Sequence, residues 1–373
     1  MSDLVQHRPS PMPTLNTTTP RVFIAATRQN EGKTTISLGL LAALQRFYPR
    51  IGYIKPVGQR FVEIEEQKID EDTVLMDQVY RLNCPLVDMS PIAVEPDFTR
   101  KYLQHSNNDA LVRRIVKAFD RVAWEKDFVL CEGSGHAGVG SVFDLSNAHV
   151  AKIVGAKVII VSQGGIGKPI DEVYLNQAVF EREGVEIIGV ILNKVTPDKL
   201  DHITEFARRG FKRMGLDLLG VLPHRPILSS PTLAAIQEEM RARSLNSFNG
   251  ANNLVESVVI GAMGAQTAIG HFKRGALVIT PGDREDIIRA AVEPGRQLAG
   301  MVLTEKLTPV NGVLRLIEQA SFPVLLADED SYEVASRVHN LIVKTRAADT
   351  EKISVIRDLI AEHVDVNKIL RAL

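Results

Sequence analysis

The stretch Arg21–Thr35, RVFIAATRQNEGKTT, constrains the fold of this 373-residue chain more than any other. The apolar run Val22-Phe23-Ile24-Ala25-Ala26 suits a strand covered on both faces. Thr27 to Thr34 fits the Walker A pattern, with Thr27 where the first glycine is usual. A loop of this kind brings together converging backbone N–H groups, a lysine that reaches phosphate and a hydroxyl for Mg2+. Gly32 allows the backbone approach, Lys33 supplies the point charge and Thr34 the hydroxyl. Downstream, Ile36, Leu40, Leu41, Leu44 and Phe47 share one helical face, so a helix is expected over Thr34–Phe47, its N-terminal dipole aimed at the loop.

The following segments extend the same pattern. Ile51-Gly52-Tyr53-Ile54-Lys55-Pro56-Val57 reads as a short strand. Strand, helix, strand is a parallel crossover, which places Lys55 at the carboxyl end of a sheet strand, where open α/β sheets bind ligands. Asp127-Phe128-Val129-Leu130-Cys131-Glu132 has the Walker B form, a buried strand ending in an acid. A buried glutamate needs a partner, and a metal or bound water would serve. Gly133–Gly140 is too glycine-rich for a helix and reads as a ligand-approach loop. Residues 63–73 carry seven acids and lysines, Glu63, Glu65, Glu66, Lys68, Asp70, Glu71 and Asp72. They are expected to form a mostly solvated loop, with one carboxylate able to reach the metal. Further strands at 157–161, 187–194 and 218–223 alternate with helices over 111–124 and 170–184, as in a parallel sheet with helices on both faces.

The character changes near residue 225, where Arg225-Pro226 and Ser229-Ser230-Pro231 read as a hinge. A second α/β pattern begins at Val255, with strands near 258–260, 276–280, 300–304 and 323–326. Asp283-Arg284-Glu285-Asp286 has the spacing of a helix N-cap, and Arg284 is the residue there suited to a small ligand or partner.

Composition narrows the class. The net charge is −1, which gives no pull towards nucleic acid or an anionic membrane surface. Only Cys84 and Cys131 are present, so neither a disulfide framework nor zinc spacing exists, and a reducing cytoplasm is the expected compartment. No apolar run is long enough for a membrane helix. Residues 1–20 hold four prolines and four threonines and read as a disordered tail.

The collected residues resemble dethiobiotin synthetase and its cobyrinate diamide synthetase relatives. The matching series is Thr27-x4-Gly32-Lys33-Thr34, Lys55-Pro56-Val57, Glu132-Gly133-x-Gly135 and Asn193-Lys194, with Ser90–Pro96 similar to a proline-rich stretch of the same family. The second half resembles the DRTGG domain, on Gly275–Arg284. Together the halves resemble the N-terminal region of long-form phosphotransacetylase. The resemblance implies a P-loop NTPase-type parallel sheet with helices on both faces, followed by a smaller α/β DRTGG domain. The expected layout is a tail over 1–20, a P-loop domain over 21–228, a linker helix and hinge over 229–248, a DRTGG-like domain over 249–350 and C-terminal helices over 351–373.

Site roles follow from the same resemblance. Lys33 and the loop residues Thr27, Arg28, Asn30, Glu31, Gly32, Thr34 and Thr35 would bind ATP, with Asn193 at the adenine. Thr34, Asp72 and Glu132 would ligate Mg2+, Asp70 being the alternate for the middle position. Lys33 and Lys55 would be the catalytic pair. The substrate side departs from the family: Gly58-Gln59-Arg60 follows Lys55-Pro56-Val57, and the 134–140 loop differs. The expectation is therefore a Mg-ATP-binding regulatory or accessory protein, homo-oligomeric, acting on a partner such as a separate phosphotransacetylase. Acetyltransferase activity is not expected, since that catalytic domain would follow Leu373. The alternative is an ATP-dependent ligase of the synthetase type. A third class, a MinD-like dimerising ATPase, rests on Arg28, which stands where those proteins carry a signature lysine.

Overall fold

The computed structural model describes residues 16–247, 250–341 and 343–373; of the expected tail, residues 1–15 lie outside these. The chain divides into two units, Met1–His224 with Thr345–Leu373, and Arg225–Lys344.

In the first unit six parallel strands lie in the order Leu218–Pro223, Ile187–Val195, Lys157–Gln163, Arg21–Ala26, Phe128–Glu132, Ile51–Ile54. Every residue of Arg21–Ala26 is buried, as a central strand covered by helices on both faces requires. Its register sets Phe23 beside Cys131 on one side and Val158 on the other. The phosphate-loop motif and Glu132 thus emerge from adjacent strands at the same sheet edge.

The helix after the motif runs Lys33–Leu44 and starts at Gly32, whose φ of 97° lies in the left-handed region that favours glycine. Its outer face is covered by the chain's return: Thr350–His363 packs so closely that a Cβ on Gly39 would lie 2.2 Å from Ile360 Cγ1. Val364 then forms an antiparallel bridge with Gly220, and the Lys157 ammonium donates to the Ala372 carbonyl at 2.7 Å.

The second unit has a five-stranded sheet in the order Arg243–Ser244, Val324–Leu326, Gly300–Thr304, Ala276–Pro281, Ser257–Ile260. All its pairings are parallel except that of Arg243–Ser244. Alternate side chains of the central strands feed two cores. Leu277, Ile279 and Val302 meet Leu233, Ile236 and Val334, while Val278, Met301 and Leu303 meet Ile287, Ile288 and Ile317. The helix Leu233–Met240 is thus part of this core.

Two local expectations are corrected. The charged run is an antiparallel hairpin, Phe61–Ile64 with Gln67–Asp70, leading directly into the helix Glu71–Tyr80. Ile69 and Asp70 are buried, and Asp70 caps that helix by accepting from the Asp72 N–H at 3.0 Å. In the second unit the helix Glu285–Ala291 has no side-chain cap at all. Arg284 instead grips Asp286 at 2.8 Å and donates to the carbonyls of Gly261 and Met263 at 2.9 and 2.8 Å.

Candidate functional site

The loop is fastened to the sheet at its start. The Thr27 N–H donates to Val161 at 2.9 Å and its hydroxyl lies 3.1 Å from that of Ser162. A threonine here supplies an anchor that glycine could not. Arg28 is exposed and forms an ion pair with Glu172 at 2.6 Å. Asn30 has φ of 62°, and its carbonyl accepts from the Lys194 ammonium at 2.6 Å. The Glu31 carbonyl accepts from Asn193 Nδ2 at 2.8 Å. Burial raises the Glu31 carboxyl pKa against the pull of Lys194. Thr35 is half-buried in the first helical turn.

Lys33, buried, donates to the Gly135 carbonyl at 3.3 Å. Its pKa is lowered to about 8, first by burial and also by the neighbouring Lys55, with Glu132 pulling the other way. Thr34 Oγ1 donates to Glu132 Oε1 at 3.0 Å, and the Tyr53 hydroxyl donates to Glu132 Oε2 at 3.2 Å. Glu132 therefore enters the site with both oxygens held.

Lys55 is the hub of the acidic side. Its ammonium pairs with Asp72, lies 3.0 Å from Asp70 Oδ1 and 3.9 Å from Glu132 Oε1. Burial works to lower its pKa, yet Asp72, Asp70 and Glu132 together hold it well above the ordinary lysine range. Asp70 and Glu132 are raised by burial, with Lys55 opposing. Three carboxyl groups surround this ammonium, with that of Lys33 also in the field of Glu132 and Asp72, and Asp70 Oδ2 is buried with no hydrogen-bond partner.

The sequence-predicted residues Thr34, Lys55, Asp72 and Glu132 are thus joined by hydrogen bonds and ion pairs, and Lys33 lies in the electrostatic field of Lys55, Asp72 and Glu132. Arg28 and Lys194 lie at the loop's exposed flank, and Asn193 contacts the loop's backbone. Asp70, which stood only as an alternate, shares Lys55 with Asp72. Sequence reasoning missed Tyr53, Asn147 and Asn176. Asn147 holds the glycine loop by accepting from the Ser134 N–H at 3.0 Å and donating to the Ser134 and His136 carbonyls at 2.6 and 2.7 Å. Asn176 accepts from the Ala137 N–H at 2.8 Å. Both asparagines are buried polar residues on helices. That is a weak signal, because only the partner loop gives it meaning.

The donor set bears on Mg2+. A hydroxyl and carboxylates are hard oxygen ligands of the kind Mg2+ takes, and Asp70 Oδ2 is a buried acceptor without a hydrogen-bond partner. Among the described residues no group of three or more His, Cys, Asp or Glu is arranged to hold a metal alone. The residues fit an ion that shares its shell with phosphate oxygens, one or two protein carboxylates being enough.

The parallel sheet, the glycine-to-helix loop at its central strand and the acid on the next strand define a P-loop-type α/β protein. Over residues 20–232 the chain belongs to the family described as AAA domain, and residues 235–341 match the DRTGG domain. The phosphate acetyltransferase of Pseudomonas putida is 30% identical over 357 residues, covering 92% of this chain and 50% of that protein. The Pseudomonas aeruginosa enzyme of the same name is 28% identical over 363 residues, again 92% and 50%. The chain spans about half the length of these curated relatives. The septum site-determining protein MinD of Pyrococcus horikoshii, complexed with Mg-ADP, is 14% identical, with 56% of this chain and 83% of that one covered at a TM-score of 0.33. Among the described residues no helix is long and apolar enough to cross a membrane.

Proposed function

We propose that the first unit binds Mg-ATP and that the protein is a nucleotide-responsive regulatory or accessory protein, tied to the acetyl chemistry of its phosphate acetyltransferase relatives. The carrying observation is the Thr34–Glu132 hydrogen bond of 3.0 Å beside the buried Lys33, since it places hydroxyl, acid and ammonium at one loop. Lys33 and the loop amides would hold the phosphates, and Thr34, Asp72 and Glu132 would hold Mg2+ directly or through water. Bound there, Mg2+ neutralises charge on the phosphate oxygens. The partner in this reading is a separate phosphotransacetylase, and the protein works as a homo-oligomer in the cytoplasm.

One observation favours a second reading, phosphoryl transfer to a small carboxylate or carbamate as in a ligase. Lys55 stands at a strand end within 3.9 Å of Glu132, where a second cation could steady a transferring phosphoryl group. A paired assay separates the two. The regulator requires that ATP change the activity of added phosphotransacetylase while the protein alone turns over no carboxylate. Carboxylate-dependent release of ADP by the protein alone, with no effect on the partner, would establish the ligase and sink the regulator.

A further inference from the structure

Two glutamines meet at the mouth of the phosphate loop. Gln29 is the third residue of the Thr27–Thr34 motif, and Gln59 follows Lys55-Pro56-Val57-Gly58. Both are exposed, and Gln29 Nε2 donates to Gln59 Oε1 at 3.2 Å. Neighbouring glycines fix where the pair stands. A Cβ on Gly135 would lie 3.6 Å from Gln29 Cγ, and the Gly135 carbonyl is the one that accepts from the Lys33 ammonium at 3.3 Å. Next to Gln59, a Cβ on Gly58 would lie 2.6 Å from Asp70 Oδ2, and Asp70 Oδ1 lies 3.0 Å from the Lys55 ammonium. The amide pair is therefore flanked by the surroundings of both buried lysines, Lys33 and Lys55.

The bond between the amides uses one hydrogen of Gln29 and one acceptance at Gln59. Gln29 Oε1 and Gln59 Nε2 make no hydrogen bond among the described residues. An uncommitted acceptor and an uncommitted donor on two exposed amides suit a water beside a phosphoryl group. Gln29 Oε1 accepts one hydrogen of the water, and Gln59 Nε2 donates to a phosphoryl oxygen. An anionic acceptor is disfavoured at the same place. Lys55, the cation that would receive it, is already paired with Asp72 and Asp70 and lies 3.9 Å from Glu132. A carboxylate approaching that ammonium meets three carboxyl groups, whereas water carries no charge.

Resting on the Mg-ATP reading above, we infer that Gln29 and Gln59 position a water as the phosphoryl acceptor, so that the protein hydrolyses ATP. The water oxygen bonds to the γ-phosphorus as the bond from that phosphorus to the β–γ bridging oxygen breaks. The bridging oxygen leaves with ADP. The water gives one proton to an oxygen of the transferred group, so ATP and water become ADP and dihydrogen phosphate.

Phosphate release and calorimetric ATP binding, both with Mg2+ and on the full chain, test this. Wild type should release inorganic phosphate from ATP with no carboxylate or amine added. In heavy-oxygen water, one labelled oxygen should enter the phosphate and none the ADP. Gln29→Ala and Gln59→Ala should each lower kcat about a hundredfold while leaving KM and ATP affinity within about twofold. Both side chains are exposed, so melting curves should be unchanged. Wild type that binds ATP but releases no phosphate, or releases it only with an added carboxylate or amine, would overturn the inference and leave the binding reading in place. Variants that keep the wild-type kcat, or whose only loss is in affinity, would overturn it equally. Absence of ATP binding by wild type would overturn both.

Discussion

The hydroxyl of Thr34 donates a 3.0 Å hydrogen bond to Oε1 of Glu132, joining the first turn of a helix to the end of a strand 98 residues further along the chain. This bond, with Tyr53 on the second oxygen, fixes the acid at the mouth of the phosphate loop. Glu132→Gln keeps the shape and removes the charge. It is expected to abolish the Mg2+ dependence of ATP affinity and to leave metal-free affinity within about twofold, because loop and lysine are untouched. Titrations with Mg2+ and with a chelator check this; an unchanged Mg2+ dependence would place the metal elsewhere.

Tyr53→Phe leaves Glu132 Oε2 buried with one partner fewer. A loss of about 1–3 kcal/mol of stability is expected, the cost of an unsatisfied buried acceptor. Urea unfolding measures it, and a change within error would mean that water takes the place of the phenol.

Removing Lys55 is expected to be harsher. Lys55→Met strands Asp70, Asp72 and Glu132 together without their cation, and breaking a buried ion pair by deleting one partner costs about 3–5 kcal/mol. The destabilisation should shrink at acid pH, where protonation relieves the repulsion among the carboxyls that burial has already raised. Thermal melts at pH 5 and pH 7.5 test both the size and the sign.

Lys33 gives ATP binding a pH signature. Its folded-state pKa of about 8 lies below that of a free lysine, so the empty loop releases this proton as pH rises through 8. Phosphate oxygens favour the charged form. Affinity should therefore be flat below pH 8 and fall above it, by up to about tenfold per pH unit, with proton uptake on binding. Calorimetry in buffers of different ionisation enthalpy at pH 8.5 reads that uptake, which should vanish in Lys33→Met.

Gly39 tests how tightly the C-terminal helix is seated on the loop's helix. Gly39→Val would drive a side chain into Ile360, and overpacking of this kind costs about 1–3 kcal/mol. Adding Ile360→Ala should recover part of the loss. If the double variant is as unstable as the sum of the two singles, the helices do not meet at this point.

Much of the first unit is legible from local pattern. Val22–Ala26 and Phe128–Leu130 are uninterrupted apolar runs, as strands of a parallel sheet covered on both faces require. The phosphate-loop residues follow because their chemistry and spacing are local. What stayed hidden is non-local. In the hairpin Phe61–Asp70 the dense charges masked a partly buried face, and nothing in the sequence distinguishes Asp70, which turns inward, from Glu71 beside it. Asn193 is suited to a ligand by its type and place, but its bond to the Glu31 carbonyl, 162 positions away, is set by the fold alone. Asp283 has capping chemistry, yet Arg284 organises that turn by reaching Gly261 and Met263, which only the fold brings near. The return of Thr350–His363 to the first unit depends on Gly39 facing Ile360, a match between residues more than 300 apart.

The central claim, that this loop binds Mg-ATP through Lys33, is tested most directly by calorimetric titration of wild type and Lys33→Ala with ATP in the presence of Mg2+. Loss of a charge-assisted phosphate contact should weaken binding by about 1.5–3 kcal/mol, roughly ten- to a hundredfold. Saturable wild-type binding, lowered to that extent in a variant with an unchanged melting curve, is the expected result. Absence of wild-type binding, or equal affinity in the two proteins, would contradict it.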